Sequence, residues 1–197
     1  MTTRRPPGLR GLAHSVGYRV FYRLPGVLRR RIVRTVTPTY TLGAVTLVLD
    51  RNTVDADLPG HRTPPGARML LLRQPPGFGW SLPGGLIERG EHPNRCAARE
   101  LGEEAGISLP AEELCPAVPN AVVHPHGRWV DTVFVARVDP ADNPLVVDGA
   151  EVFEAEWFAL SDLPRLTLPT ARLLARYGIG PLAETADDPD TAVPDTT

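Results

Sequence analysis

The chain has 197 residues, with 22 prolines, 18 glycines, 42% apolar and 22% charged residues. That composition suits one domain of about 130–150 residues with extensions, and it excludes wholesale disorder. No apolar run of about 18 residues exists, which excludes a spanning helix, and two cysteines, Cys96 and Cys115, exclude a disulfide framework.

A reduced, cytoplasmic setting follows from that cysteine usage. Arg4 and Arg5 are followed by no apolar core, so no signal peptide is expected. The net charge of −2 hides an asymmetry: residues 1–36 carry nine arginines and no acid, which leaves −11 on the remainder. Residues 9–36 read as two short helices. Leu12, Val16, Val20 and Leu24 recur every four positions, Pro25 breaks the run, and Leu28, Ile32 and Val36 repeat the spacing. Arg29, Arg30, Arg31 and Arg34 take the other faces.

From Tyr40 the period changes. Residues 41–49 read as a buried strand, 51–66 as a long loop, 67–73 as a second strand and 79–82 as a short third. Pro93 to Ala105 reads as a helix, with Pro93 at its first position and Gly106 as its stop. Further strands are expected at 117–123, 129–138 and 152–159, and a last helix at 169–177. Residues 184–197 hold five acids and no base, and read as a disordered tail. Strands mixed with flanking helices predict an α/β sandwich around a mixed sheet.

The chemistry concentrates on the helix at 93–105. Glu100, Glu103 and Glu104 stand at i, i+3 and i+4, so their carboxylates share one face about 5–6 Å apart. Three such charges repel one another, and a helix built only for stability gains nothing from them. A hard divalent cation reverses that sign, because it takes carboxylate oxygens. The Gly84-Gly85 turn lets backbone approach a ligand closely, and its carbonyl offers a further oxygen.

Residues 85–107 resemble the Nudix box, G-x5-E-x7-R-E-U-x-E-E-x-G-U with U aliphatic. Every fixed position matches: Gly85, Glu91, Arg99, Glu100, Leu101, Glu103, Glu104, Gly106 and Ile107. The resemblance covers about residues 40–177. It implies a Nudix-type α/β/α sandwich for a hydrolase domain at 39–180, and the residue patterns add an Arg-rich helical extension at 1–38 and an acidic tail at 181–197. It implies hydrolysis of the pyrophosphate in a nucleoside diphosphate linked to another moiety, such as a nucleoside triphosphate or ADP-ribose, with Mg²⁺ or Mn²⁺ as cofactor. Glu100, Glu103, Glu104 and the Gly85 carbonyl would hold metal, with Glu103 and Glu104 also catalytic. Arg99 and Glu91 would fix the glutamate rotamers.

Two departures touch the helix rather than the ligands. His92 replaces a capping Ser, Thr or Asp, and Gly102 interrupts the helix interior. Cys96 reads as packing. Family members often place a further acid before the last tryptophan-bearing strand; Glu151 fits best as metal ligand or base, Glu154 second. Arg73 matches a phosphate-contacting arginine. Phe78, Trp80 and Trp129 are candidates to stack on a base, weighed against a core role. His124 and His126 are too sparse for a metal pair and read as a loop or substrate rim. A nucleotide-sensing Nudix module without turnover is the alternative, although no box glutamate is lost. The arm is expected to dock on the domain's acidic surface, ahead of an anionic membrane or nucleic acid, and a homodimer is compatible with the reading.

Overall fold

The computed structural model describes residues 18–53, 66–124 and 127–183. The start of the arm, most of the 51–66 loop, His126 and the acidic tail lie outside the described residues. The chain divides into two units, Met1–Tyr40 and Thr41–Thr197. In the first, residues 18–23 are helical and α1 spans Gly26–Val36. Pro25 stands before α1 rather than inside it, and its carbonyl accepts from the Leu28 and Arg29 N–H groups. Among the described residues, no helix is long and apolar enough to cross a membrane.

The second unit runs β1 (Thr41–Asp50), β2 (Arg68–Arg73), β3 (Trp80–Ser81), β4 (Gly84–Leu86), α2 (Pro93–Ala105), β5 (Cys115–His124), β6 (Trp129–Val138), β7 (Glu154–Ala159) and α3 (Leu168–Ala175). Both α2 and β6 occupy the spans their spacing predicts, while β5 is longer and β7 shorter than expected. The sheet is mixed. β1 and β6 pair in parallel along their full length, and every other pairing is antiparallel.

Alternation along the strands builds two cores. Ala44, Val48, Leu70 and Leu72 point to one face, where Cys96, Ala97, Leu101 and Ala105 of α2 cover them. Leu47, Leu49, Met69 and Leu71 point to the other, where Leu173 and Leu174 of α3 cover them. Burial of both strand faces is why residues 41–49 read as a continuous apolar run. The result is the expected α/β/α sandwich.

One feature departs from the prediction. Gly84-Gly85 is expected as a turn, yet with Leu86 it forms β4. β1 and β2 pair only at Leu49 and Met69, then diverge. The segment 80–86 fills the gap: β3 pairs with the far end of β2 and β4 with the first half of β1. The Pro83 carbonyl also accepts from the Thr46 N–H at 2.9 Å. Gly84 is required there, since a Cβ would overlap the Ala44 carbonyl. This insert carries the Gly84-Gly85 backbone under the acidic face of α2.

Candidate active site

Helix α2 ends at Gly106, whose φ of 74° is left-handed and whose N–H caps the Gly102 and Leu101 carbonyls. Its buried stripe of Cys96, Ala97, Leu101 and Ala105 fixes the rotation of the helix. That rotation turns Glu100 and Glu104 toward the insert and leaves Glu103 outside. Glu104 is 7% exposed, whereas the Glu103 side chain is 58% exposed.

Arg99 joins three of the acids. Its Nε donates to Glu91 Oε1 at 3.0 Å, and its Nη1 donates to Glu100 Oε1 at 2.7 Å and Glu103 Oε2 at 2.9 Å. Hydrogen bonds from Arg99, then from the Glu88 N–H, hold the Glu91 carboxyl down at about 2. Glu91 also ties the loop ahead of α2, accepting from the Glu88 N–H at 2.9 Å.

Glu104 is held differently. Its Oε2 accepts from the Gly84 N–H at 2.8 Å, and its Oε1 accepts from Gln74 Nε2. Burial pushes its carboxyl up to about 7, and the charges of Glu100 and Glu151 add to the rise, against the Gly84 and Gln74 hydrogen bonds. Burial likewise raises Glu100, against its bonds to Arg99. The Glu100 carboxylate lies directly against Gly85, where any Cβ would overlap it. Glycine therefore brings main chain and carboxylate together.

The donor set fits a hard divalent cation. The carboxylates of Glu100, Glu103 and Glu104 share one helix face, and the Gly85 main chain lies against that of Glu100. The one nearby sulfur is Cys96, whose thiol is pushed up to about 12 by burial and by the charges of Glu91 and Glu100. It stays protonated and points at the Leu86 carbonyl, 3.4 Å away. Among the described residues, no three acidic, imidazole or thiol side chains converge as an ion cage as they stand. Arg99 takes the facing oxygens of Glu100 and Glu103 instead.

Next to Gly85 opens a cavity of about 380 Å³, lined by β1, β4 and the start of β6. Trp129 and Asp131 line it. Trp129 stacks on His124 with centroids 4.5 Å apart and donates from Nε1 to Asp131 Oδ2 at 3.2 Å. His124 Nε2 lies 3.0 Å from the same oxygen without the alignment of a hydrogen bond.

The remaining candidates scatter. Glu151 is exposed at the turn before β7, where Asp148 Oδ1 accepts from its N–H at 3.0 Å, and its charge is felt at Glu104. Arg73 ends β2 opposite Glu154 of β7 and forms an ion pair with it. Phe78 is 77% exposed. Trp80 meets Phe158 edge-on at 4.7 Å within the α3-side core.

Three residues beside the acids were not singled out by the sequence reading. Gln74 reaches Glu104 and accepts from Ser81 Oγ at 2.9 Å. Asp131 comes beside Gly43 through the parallel register of β1 and β6. Gly43 leaves room for that carboxylate and for the Gly85 carbonyl. A polar residue in the middle of an apolar strand was the available signal for Asp131; Gln74 carried none.

Comparison with known proteins gives a match of the NUDIX domain to residues 61–177. An ADP-ribose pyrophosphatase of Methanocaldococcus jannaschii is 29% identical over 98 residues, covering 50% of this chain and 56% of the relative. An NAD-capped RNA hydrolase, NudC, of Stutzerimonas stutzeri is 30% identical over 115 residues, covering 57% of this chain and 38% of the relative. The chain thus spans about half or less of these relatives. A solved structure from Francisella tularensis, a bifunctional NMN adenylyltransferase/ADP ribose pyrophosphatase with AMP and a manganese ion, aligns with a TM-score of 0.51 at 18% identity. It covers 80% of this chain and 45% of that one, and the likeness is one of fold.

Proposed function

The chain belongs to the Nudix family, and on that premise we propose that it hydrolyses the pyrophosphate bond of a nucleoside diphosphate linked to another moiety. The observation that carries this is the face of α2. Glu100, Glu103 and Glu104 line it, Gly85 main chain presses on Glu100, and Arg99 grips Glu100 and Glu103.

In this reading Glu100, Glu103, Glu104 and the Gly85 carbonyl hold Mg²⁺ or Mn²⁺. Such a cation, when bound, would supply neutralisation of the phosphate oxygens and a more acidic attacking water. Arg99, anchored through Nε to Glu91, orients Glu100 and Glu103 and spreads their charge. Gln74 and the Gly84 N–H orient Glu104. Removal of the water proton falls to Glu103 or Glu104. Glu103 is the better placed, being exposed and bound only through Oε2, whereas both Glu104 oxygens are engaged. Glu151 acts on the site through its charge. Arg73 would trade Glu154 for a substrate phosphate; its Nε–H has no partner among the described residues.

The cavity beside Gly85 takes the group beyond the pyrophosphate, with Trp129 as its aromatic wall and Asp131 as an acceptor for hydroxyl or amino donors. ADP-ribose and an NAD cap share a pyrophosphate between two sugars, and the activities of the two relatives support that substrate class. We take residues 39–180 as the hydrolase unit and the cytoplasm as its setting; the two free cysteines support the latter.

The test is a chromatographic assay of nucleoside monophosphate formation from ADP-ribose, NADH and nucleoside triphosphates with Mg²⁺ or Mn²⁺. Turnover that stops in excess chelator is expected. Undiminished turnover in chelator overturns the metal-dependent reading, and tight binding without turnover makes the chain a nucleotide sensor instead.

A further inference from the structure

The arm carries an observation the hydrolase reading leaves unused. In α1, Leu28, Ile32 and Val36 follow at i, i+4 and i+8 with Val33 beside them, while Arg30, Arg31 and Arg34 cluster on the opposite side. The same spacing would place Arg29 on the apolar stripe, but its guanidinium turns back over the Tyr22 ring, 5.5 Å from the centroid. None of the eleven α1 residues is buried. Leu28, Val33 and Val36 are exposed, as are Tyr18 and Tyr22 of the preceding helical turn.

We propose that the arm is an interfacial anchor that lays α1 onto an anionic phospholipid bilayer. Charge complementarity supplies the first argument. α1 itself carries four arginines within a stretch, residues 1–36, that holds nine and no acid, and a basic cluster on an amphipathic helix is drawn to anionic headgroups. The aliphatic stripe supplies the second. A nucleic acid backbone would satisfy the arginines and give Leu28, Ile32, Val33 and Val36 nothing apolar to enter. A bilayer interface accepts both, and tyrosine rings favour that depth. A second copy of the arm would bring nine positive charges against nine. The proposal does not depend on the hydrolase reading.

The experiment is vesicle flotation of the full chain with phosphatidylcholine alone and with phosphatidylglycerol added, at low and high salt. Binding to the anionic vesicles that is released by salt is expected. Replacing Arg30, Arg31 and Arg34 together by glutamine should weaken it about a hundredfold, at roughly 1 kcal/mol per charge. Replacing Leu28, Ile32 and Val36 together by serine should abolish it, while circular dichroism shows the domain intact. Absence of binding by the full chain overturns the proposal and leaves docking on the domain as the arm's role. Binding that survives the arginine replacement also overturns it. So does binding that survives the serine replacement, since a purely electrostatic contact is the one RNA would make.

Discussion

The two helices that flank the sheet obey different rules. α3 follows local physics: Thr167 accepts the Thr170 N–H at its start, a proline opens it, Arg172 sits in its last turn, and most of its residues are buried. α2 contradicts local physics in three places. His92 makes no side-chain cap bond, Gly102 interrupts the interior, and Glu100, Glu103 and Glu104 crowd the C-terminal half, where the helix dipole disfavours anions. Both helices bury an apolar stripe well enough to fold. The helix with the poorer local chemistry is the one that meets the glycine insert, and such breaches collect where a chain serves function.

That contrast can be broken most sharply at the acids. Glu103→Gln and Glu104→Gln are each expected to lower kcat by at least about 10²-fold, with an equal or higher melting temperature because like-charge repulsion falls. Steady-state kinetics and thermal melts check this, and near-wild-type rates in both variants would detach the irregularities of α2 from any chemistry. Glu151→Gln should fall between these variants and the surface control Glu113→Gln.

The next effect is in pH. The folded carboxyl of Glu104 is raised to about 7 from an ordinary 4.5. Its contribution to stability is fully present below about 4.5 and lost as pH rises through about 7, an effect on the order of 3 kcal/mol. Glu91, lowered to about 2, acts in the opposite sense but only below its ordinary range, outside that window. In chelator, the wild type should therefore lose stability relative to Glu104→Gln between pH 5 and pH 8. Parallel melting curves for the two proteins would show that burial of Glu104 carries no strain.

Smaller effects separate the helix starts. Thr167→Ala should cost about 1 kcal/mol in denaturant unfolding with kcat unchanged. Gly102→Ala should gain just under about 1 kcal/mol, because the nearest atom to an added Cβ is the Ile107 carbonyl at 3.9 Å. A loss of stability there would mean that α2 tolerates its glycine for packing rather than for want of selection.

The reach of the sequence follows the same division. Elements with their own periodicity, such as α2 at 93–105 and β6 at 129–138, stood out because burial repeats along them. The box acids and Arg99 stood out because helical spacing alone sets their shared face. β4 did not, since Gly84-Gly85-Leu86 has no strand propensity and becomes a strand only where β1 and β2 part. Asp131 reaches the site through the parallel register of β1 and β6, with only its polarity in an apolar strand as a local trace, and Gln74 reaches it from just beyond β2 with none. Trp80 and Trp129 looked alike as aromatics; position in the sheet sends one into the core and the other to the cavity.

The insert at 80–86 also bears on the order of assembly. It rests on β1 and β2, which precede it, and its Gly84 N–H is taken by Glu104 of α2, which follows it. None of these partners can hold it alone, and bringing distant segments together is the slow part of folding. A chain with its helices formed and its strands partly paired lacks the Gly85 main chain in place against Glu100. Recovery of turnover is therefore expected to lag recovery of helical signal on refolding, which an activity assay run beside circular dichroism checks.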